Sequence, residues 1–280
     1  MAENPTALPP VSITNAPNGG RRGKADHPAL PLTAGELARV AAECLASGAA
    51  MLHLHVRDGD GRHLLDADAY RQALGAIAAA TGDRLALQIT TEALGLYAPA
   101  EQMAVTKAVR PEAVSLALRE LAPDAASEPD FATFLLWLRR EKIMPQIILY
   151  SPEEAVRLAQ MRERGMIPWQ DVPVLYVLGR YSPGQLSHPS DLIAFIAPDA
   201  PRFRHWTTCA FGRHEAAAVT AGALLGGHVR VGFENNLQLP DGTTAASNAE
   251  LVGVTADILR RCGVTLLTAP ELRDGWAALR

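Results

Sequence analysis

Two histidines one residue apart are the first chemistry in this chain: His53 and His55, in the run Met51-Leu52-His53-Leu54-His55-Val56-Arg57-Asp58. In an extended strand, residues two apart point to the same face, so both imidazoles project together. Two nitrogens on one strand face can bind a divalent metal without distorting the backbone. A catalytic zinc site adds a third protein ligand and keeps an open position. The competing reading of a His-x-His pair is two core histidines held by hydrogen bonds. The polar run Arg57-Asp58-Gly59-Asp60 directly after the strand favours the ligand reading, because it places the imidazoles at a strand end beside a solvated loop.

A third ligand is offered by Gly226-Gly227-His228-Val229-Arg230-Val231-Gly232-Phe233-Glu234-Asn235-Asn236. If a strand runs through this segment, Arg230, Gly232 and Glu234 share its inward face, Gly232 leaving room and Glu234 standing at the rim. An inward arginine and glutamate are costly to bury without partners. They either pair with each other, or they act as a substrate-carboxylate binder beside a metal ligand. The second reading explains both charges. Two nitrogens and one oxygen suit zinc, with manganese, cobalt or iron as substitutes.

The elements that must position these groups follow from hydrophobic period. Short β-branched runs at 11–16, 50–56, 84–90, 113–117, 143–149, 172–177, 203–208 and 228–232 read as strands. Amphipathic segments at 33–47, 66–80, 131–140, 191–196, 213–225 and 248–261 read as helices, with another opened by Ser151-Pro152-Glu153-Glu154. Thr33 and Glu36 fit a capping box, and Gly48 can end that helix in a left-handed conformation. Eight strand–helix units with short connections and no proline-rich linker predict one (β/α)8 TIM barrel over 1–280. An open doubly wound sheet is the alternative, but no GxGxxG follows the first strand. In a barrel the catalytic face lies at the carboxyl ends of the strands, where His53, His55 and Glu234 fall.

Composition excludes several classes. A hydrophobic fraction of 48% over 280 residues supports a large core, and a net charge of −4 gives no reason to expect nucleic acid or a membrane surface as a partner. No apolar run reaches the roughly 20 residues of a membrane helix. Residues 1–10 lack the form of a signal peptide. Cys44, Cys209 and Cys262 form no CxxC pair, which fits reduced thiols and a cytoplasmic location.

In order and spacing, these segments resemble the β-keto acid cleavage enzyme family. The resemblance is carried by His53 to Asp58 and Gly226 to Asn236, and also by Ala25-Asp26-His27-Pro28, Gln88-Ile89-Thr90-Thr91, Leu178-Gly179, Phe211-Gly212-Arg213-His214 and Ser247-Asn248-Ala249-Glu250. It implies a homotetrameric, zinc-dependent transferase that converts a β-keto acid and acetyl-CoA to acetoacetate and a new acyl-CoA. It further implies that Arg230 clamps the substrate carboxylate and that Thr91 and Ser115 orient the substrate. His53, His55 and Glu234 are the expected metal ligands. Gly212 and Arg213, opening a helix, are candidates for a coenzyme A phosphate, and His214 is expected to point toward the site.

Several positions depart from the family pattern. Asn235 stands where an acid follows the metal-binding glutamate, and Arg21 where some members carry a catalytic glutamate. Glu92 follows Thr91 where a glycine is usual, and Gln146-Ile147-Ile148 replaces a segment often acidic. An amide cannot serve as a carboxylate base, so Glu92 is the substitute candidate. Arg21 and Arg22 favour a more anionic substrate or the phosphates of coenzyme A. Two other readings stay open: a metal-dependent aldolase or carbon–carbon hydrolase that uses no coenzyme A, and an inactive metal- and metabolite-binding barrel.

Overall fold

The computed structural model describes residues 8–279; most of the N-terminal stretch read above for a signal peptide lies outside the described residues. Eight parallel strands form a closed barrel: β1 (Ile13–Asn15), β2 (Met51–Leu54), β3 (Ala86–Thr90), β4 (Ala113–Ala117), β5 (Met144–Leu149), β6 (Val174–Leu178), β7 (Trp206–Ala210) and β8 (His228–Val231). Each strand pairs with its successor, and β8 closes against β1 through Ile13–Val229, Thr14–Arg230 and Asn15–Val231. Helices alternate with the strands along the chain, as expected for a (β/α)8 barrel. Among the described residues, no helix is long and apolar enough to cross a membrane.

Local chemistry sets the helix ends. Thr33 accepts from the Glu36 N–H while the Glu36 carboxylate reaches back to the Thr33 N–H, completing a capping box on Ala34–Ser47; Gly48 ends that helix at φ 111°. Asp66 caps Ala67–Thr81, and Ser247 caps Asn248–Arg261. Three helices escaped the sequence reading: Pro99–Val109, Leu118–Leu121 and Ala269–Ala277. The last packs Ala269, Leu272 and Trp276 against Ala50, Met51, Ala86, Ala113 and Met144, plugging the amino-terminal end of the barrel. The helix expected from 213 begins at Glu215, and the one expected over 191–196 is a 3-10 turn, Pro189–Leu192, running into Ile193–Ile196.

The second strand stops two residues short of the expected 56, for a reason that bears on the site. Val56–Arg57 leaves the barrel to pair antiparallel with His63–Leu64. The buried Asn18 side chain fills in at the point of departure: its Oδ1 accepts from the His55 N–H (3.3 Å), and its Nδ2 donates to the His55 carbonyl (3.0 Å). His55 is thereby fixed although it lies beyond the ladder.

Gly232 corrects a second expectation. It opens no room for a ligand. It lies at φ 144°, and a Cβ there would stand 2.3 Å from the Ala16 carbonyl oxygen, so its small size serves the contact between the ends of β8 and β1. Gly232→Ala is expected to cost about 2 kcal/mol or more through backbone strain and overpacking. The check is the midpoint of denaturant unfolding, which would be unchanged if this contact were loose.

Candidate metal centre

His53 sits near the end of β2, and His55 follows where Asn18 holds the backbone; both imidazoles are buried, at 1% exposure. Glu234 reaches them from the turn after β8. That turn is tight, with the Asn235 and Asn236 N–H groups both donating to the Gly232 carbonyl. The Glu234 N–H in turn donates to the Ala16 carbonyl at the end of β1. One candidate ligand atom from each of His53, His55 and Glu234 can be chosen so that all lie within 4.8 Å of one another.

The electrostatics divide Glu234 in two. Oε1 accepts from the Arg230 guanidinium at 2.8 Å, while Oε2 lies 3.5 Å from His53 Nε2 and 3.3 Å from His55 Nε2. Burial alone would raise the Glu234 carboxyl, but Arg230 and the two imidazoles outweigh it and hold it well below the usual carboxylate range. Arg230 and Glu234 thus form the ion pair and also leave one oxygen facing the histidines, so the two readings of these charges are compatible. Burial pushes the His53 imidazole down to about 3, which keeps it neutral and able to ligate. The donor set fits a divalent cation on one further observation. Glu234 Oε2 and both ring nitrogens of His55 are buried without a hydrogen bond, despite the 3.3 Å approach. A shared cation would satisfy such facing lone pairs.

These groups line a cavity at the carboxyl ends of the strands, together with Thr91, Glu92 and Ser115. Thr91 donates its hydroxyl to the Ser115 carbonyl (2.9 Å), whereas the buried Ser115 hydroxyl has no partner. The Glu92 carboxylate lies 3.8 Å from His55 Nδ1 and 3.7 Å from Arg180. Arg21 and Arg22 stand in the wall formed by the first loop. That loop is tied down by Arg57, whose guanidinium donates to the carbonyls of Asn18, Gly19, Arg22 and Gly61.

Other candidates are placed elsewhere. Asn235 is fully buried with its amide unpartnered, outside the residues that line the cavity. The turn at Gly232 ends the strand alternation, so residue 234 faces in and residue 235 turns behind it. Gln146 lies deeper in the barrel, and Ile148 takes the cavity position on β5. The Gly212 N–H is already donated to the Asn235 carbonyl, and Arg213 is exposed with its Nε on His214. His214 bonds the Ser187 carbonyl and is not a lining residue. Sequence reasoning missed Asn18, Tyr150 and Arg180, which do line the cavity. Arg180 carried the one available signal, an arginine following the Leu178-Gly179 strand end.

A closed parallel barrel with two imidazoles and a carboxylate converging at the carboxyl ends of its strands belongs to the architecture in which barrel enzymes place their chemistry. A family model described as beta-keto acid cleavage enzyme matches residues 10–276, and the chain belongs to that family. It is 29% identical over 267 residues to a 3-keto-5-aminohexanoate cleavage enzyme of Fusobacterium nucleatum subsp. nucleatum, covering 94% of this chain and 96% of the relative. It is 26% identical over 276 residues to a 3-oxoadipate:acetyl-CoA acetyltransferase of Cupriavidus necator, covering 94% and 93%. The solved structure of ObcA with oxaloacetate shares the fold, with a TM-score of 0.66 at 19% identity over 89% of this chain and 67% of that one.

Two predictions follow from the buried imidazoles. Burial lowers His53 to about 3 and His63 and His228 to about 4, from the ordinary 6.5. The unfolded chain therefore takes up protons that the folded one refuses. Stability of the metal-free protein is full above pH 6.5 and falls as the pH drops toward about 4. Thermal midpoints through that window test this, and a flat profile would mean the imidazoles are protonated in the fold. Added zinc is expected to raise the midpoint of the wild type and to leave Glu234→Gln unmoved; equal shifts in both would remove Glu234 from the ligand set.

Proposed function

We propose that the chain converts a β-keto acid and acetyl-CoA to acetoacetate and a new acyl-CoA, with zinc held by His53, His55 and Glu234. The observation that carries this is the meeting, in one cavity of a family barrel, of that ligand set with Arg230, Glu92 and two hydroxyls. Zinc, or manganese, cobalt or iron in its place, would supply Lewis-acid polarisation of the keto oxygen.

The protein's own groups account for the remaining needs. Arg230 lines the cavity and engages Glu234 and Cys209 through Nη2, which leaves guanidinium N–H groups for the substrate carboxylate. Glu92 removes the proton from the carbon between the two carbonyls. That carbon attacks the acetyl thioester, forming a carbon–carbon bond and releasing the coenzyme A thiolate. The thiolate then attacks the original keto carbon, whose bond to the central carbon breaks. The central carbon leaves as acetoacetate and recovers its proton from Glu92. Ser115 and Thr91 orient the substrate from β4 and from the end of β3.

The cavity wall sets the side chain. Its apolar part is Ala117, Ile148, Val177 and Phe211; apart from the paired Arg230 and Glu234, its charged part is Arg21, Arg22 and Arg180 against Glu92. A neutral or anionic keto acid fits this balance better than a cationic one. Arg213, exposed near the rim beside Gly212, is the candidate contact for a coenzyme A phosphate. The inactive-barrel reading rested on Asn235 as a lost base. With that amide behind the cavity and Glu92 within it, the transferase reading is favoured.

The decisive assay supplies zinc-loaded protein with acetyl-CoA and a panel of anionic, neutral and cationic β-keto acids. Acetoacetate with the matching acyl-CoA is expected, and its absence across the panel would favour an aldolase or hydrolase. Glu92→Gln is expected to lower kcat by about 100-fold or more, the usual contribution of a general base; unchanged turnover would dismiss the role. Arg180→Ala is expected to raise KM about tenfold for an anionic substrate and to leave a neutral one unaffected, in keeping with one charge-assisted hydrogen bond. Equal effects on both would place Arg180 outside the side-chain pocket.

A further inference from the structure

Beneath the metal centre the barrel is polar where Val, Ile and Leu ordinarily fill it. Gln88, Gln146 and Thr207 come from the alternate strands β3, β5 and β7 and are buried, at 1%, 6% and 4% exposure. They are joined in a chain. His53 Nδ1 lies 2.8 Å from Gln88 Oε1, Gln88 Nε2 donates to Gln146 Oε1 at 3.3 Å, and Gln146 Nε2 donates to Thr207 Oγ1 at 3.0 Å. Gln88, Gln146 and Thr207 do not line the cavity of the metal centre, and a buried polar chain is retained at a cost unless every member is satisfied.

The chemistry of the chain has a direction. An amide oxygen only accepts, so the Nδ1 facing it must carry the hydrogen. His53 is neutral, and its lone pair is therefore on Nε2, the nitrogen 3.5 Å from Glu234 Oε2. Were Gln88 to turn its amide over, its NH2 would face Nδ1 and favour the opposite tautomer, with a hydrogen on Nε2 where a ligand is required. A lone turn of Gln88 also sets its oxygen against the oxygen of Gln146. Thr207 holds the far end of Gln146, its hydroxyl accepting here and able to donate instead, so the two amides keep their sense jointly, and Gln88 cannot turn alone. His55 has no such support, since neither of its ring nitrogens makes a hydrogen bond.

We infer that Gln88, braced by Gln146 and Thr207, is a positioning residue that fixes the tautomer and ring plane of His53 and so makes it the preorganised ligand of the pair. This rests on the reading of His53, His55 and Glu234 as a cation site, and on no particular reaction. Outer partners of metal-bound imidazoles act in this way, and their loss weakens metal binding by 10- to 100-fold.

The test measures zinc affinity by competition with a chromophoric chelator, and the His53 tautomer by nitrogen–proton correlation NMR of the metal-free protein. Gln88→Leu is expected to weaken zinc binding about 10- to 100-fold and to bring up an Nε2–H population on His53. Gln146→Leu, which acts only by freeing Gln88, is expected to have the same sign and a smaller effect. Gln88→Glu still accepts from Nδ1–H, and Gln146 can turn its NH2 to the new carboxylate while the Thr207 hydroxyl donates to its oxygen, so zinc affinity is expected to stay near the wild type, which a purely structural role for the residue would not give. Wild-type zinc affinity in both leucine variants, or an Nε2–H tautomer in the metal-free wild type, would overturn the inference. If the wild type binds no zinc the ligand reading fails, and the tautomer measurement still decides whether the relay acts on His53.

Discussion

A largely buried carboxylate set between a guanidinium and two imidazoles is the arrangement that the rest of this structure must accommodate. Glu234 is held ionised by Arg230, yet only one of its oxygens is engaged in that pair. The other faces His53 and His55 without a hydrogen bond. A buried ion pair repays its desolvation only when the remaining lone pairs are satisfied. A cation between these atoms would complete that account, and the same guanidinium then stands beside the cation with an N–H to offer a substrate carboxylate.

The ladder holds His53 and Arg230, and backbone contacts outside it hold Glu234 and His55. The ends of β8 and β1 are pressed together at Gly232, and the Glu234 N–H is bonded to the Ala16 carbonyl, so the carboxylate arrives from a fixed turn. Asn18 takes the place of a neighbouring strand for His55. Arg57, whose charge is buried enough to be disfavoured, offsets that by binding four carbonyls of the loops on either side. The hairpin after β2 is therefore part of the site: it carries Arg57 and brings His63 within 5.5 Å of His55, ring to ring.

Regular periodicity made most of the barrel legible. Strand β4 and the helix Asn248–Arg261 have the bounds that alternation and capping residues imply, and the capping box at Thr33 forms as its residue types require. Two of the missed helices carry local start signals, Pro99 with Glu101 and a Thr268/Glu271 capping box with Pro270. Leu118–Leu121 is four residues long, too short for a period to register. Ala269–Ala277 gains its place by burying Trp276 beneath the barrel, which is a tertiary reason.

The sequence by itself determined the ligand types and their common face, because a strand's period of two puts His53 and His55 on one side whatever surrounds them. It also determined that an arginine and a glutamate would accompany them. Only the tertiary structure decided which neighbours of those residues take part. Alternation already points residues 230 and 234 inward and 235 outward; the tertiary structure adds that a turn at Gly232, pressed on the end of β1, delivers Glu234 to the cavity where the sequence implies a continued strand. Gln146 and Ile148 share a strand face and differ in depth, and depth is set by how far each strand is staggered around the closed barrel. Arg180 and Glu92 are 88 positions apart in the chain and 3.7 Å apart in space. Closure of the barrel creates that proximity, and no local pattern encodes it.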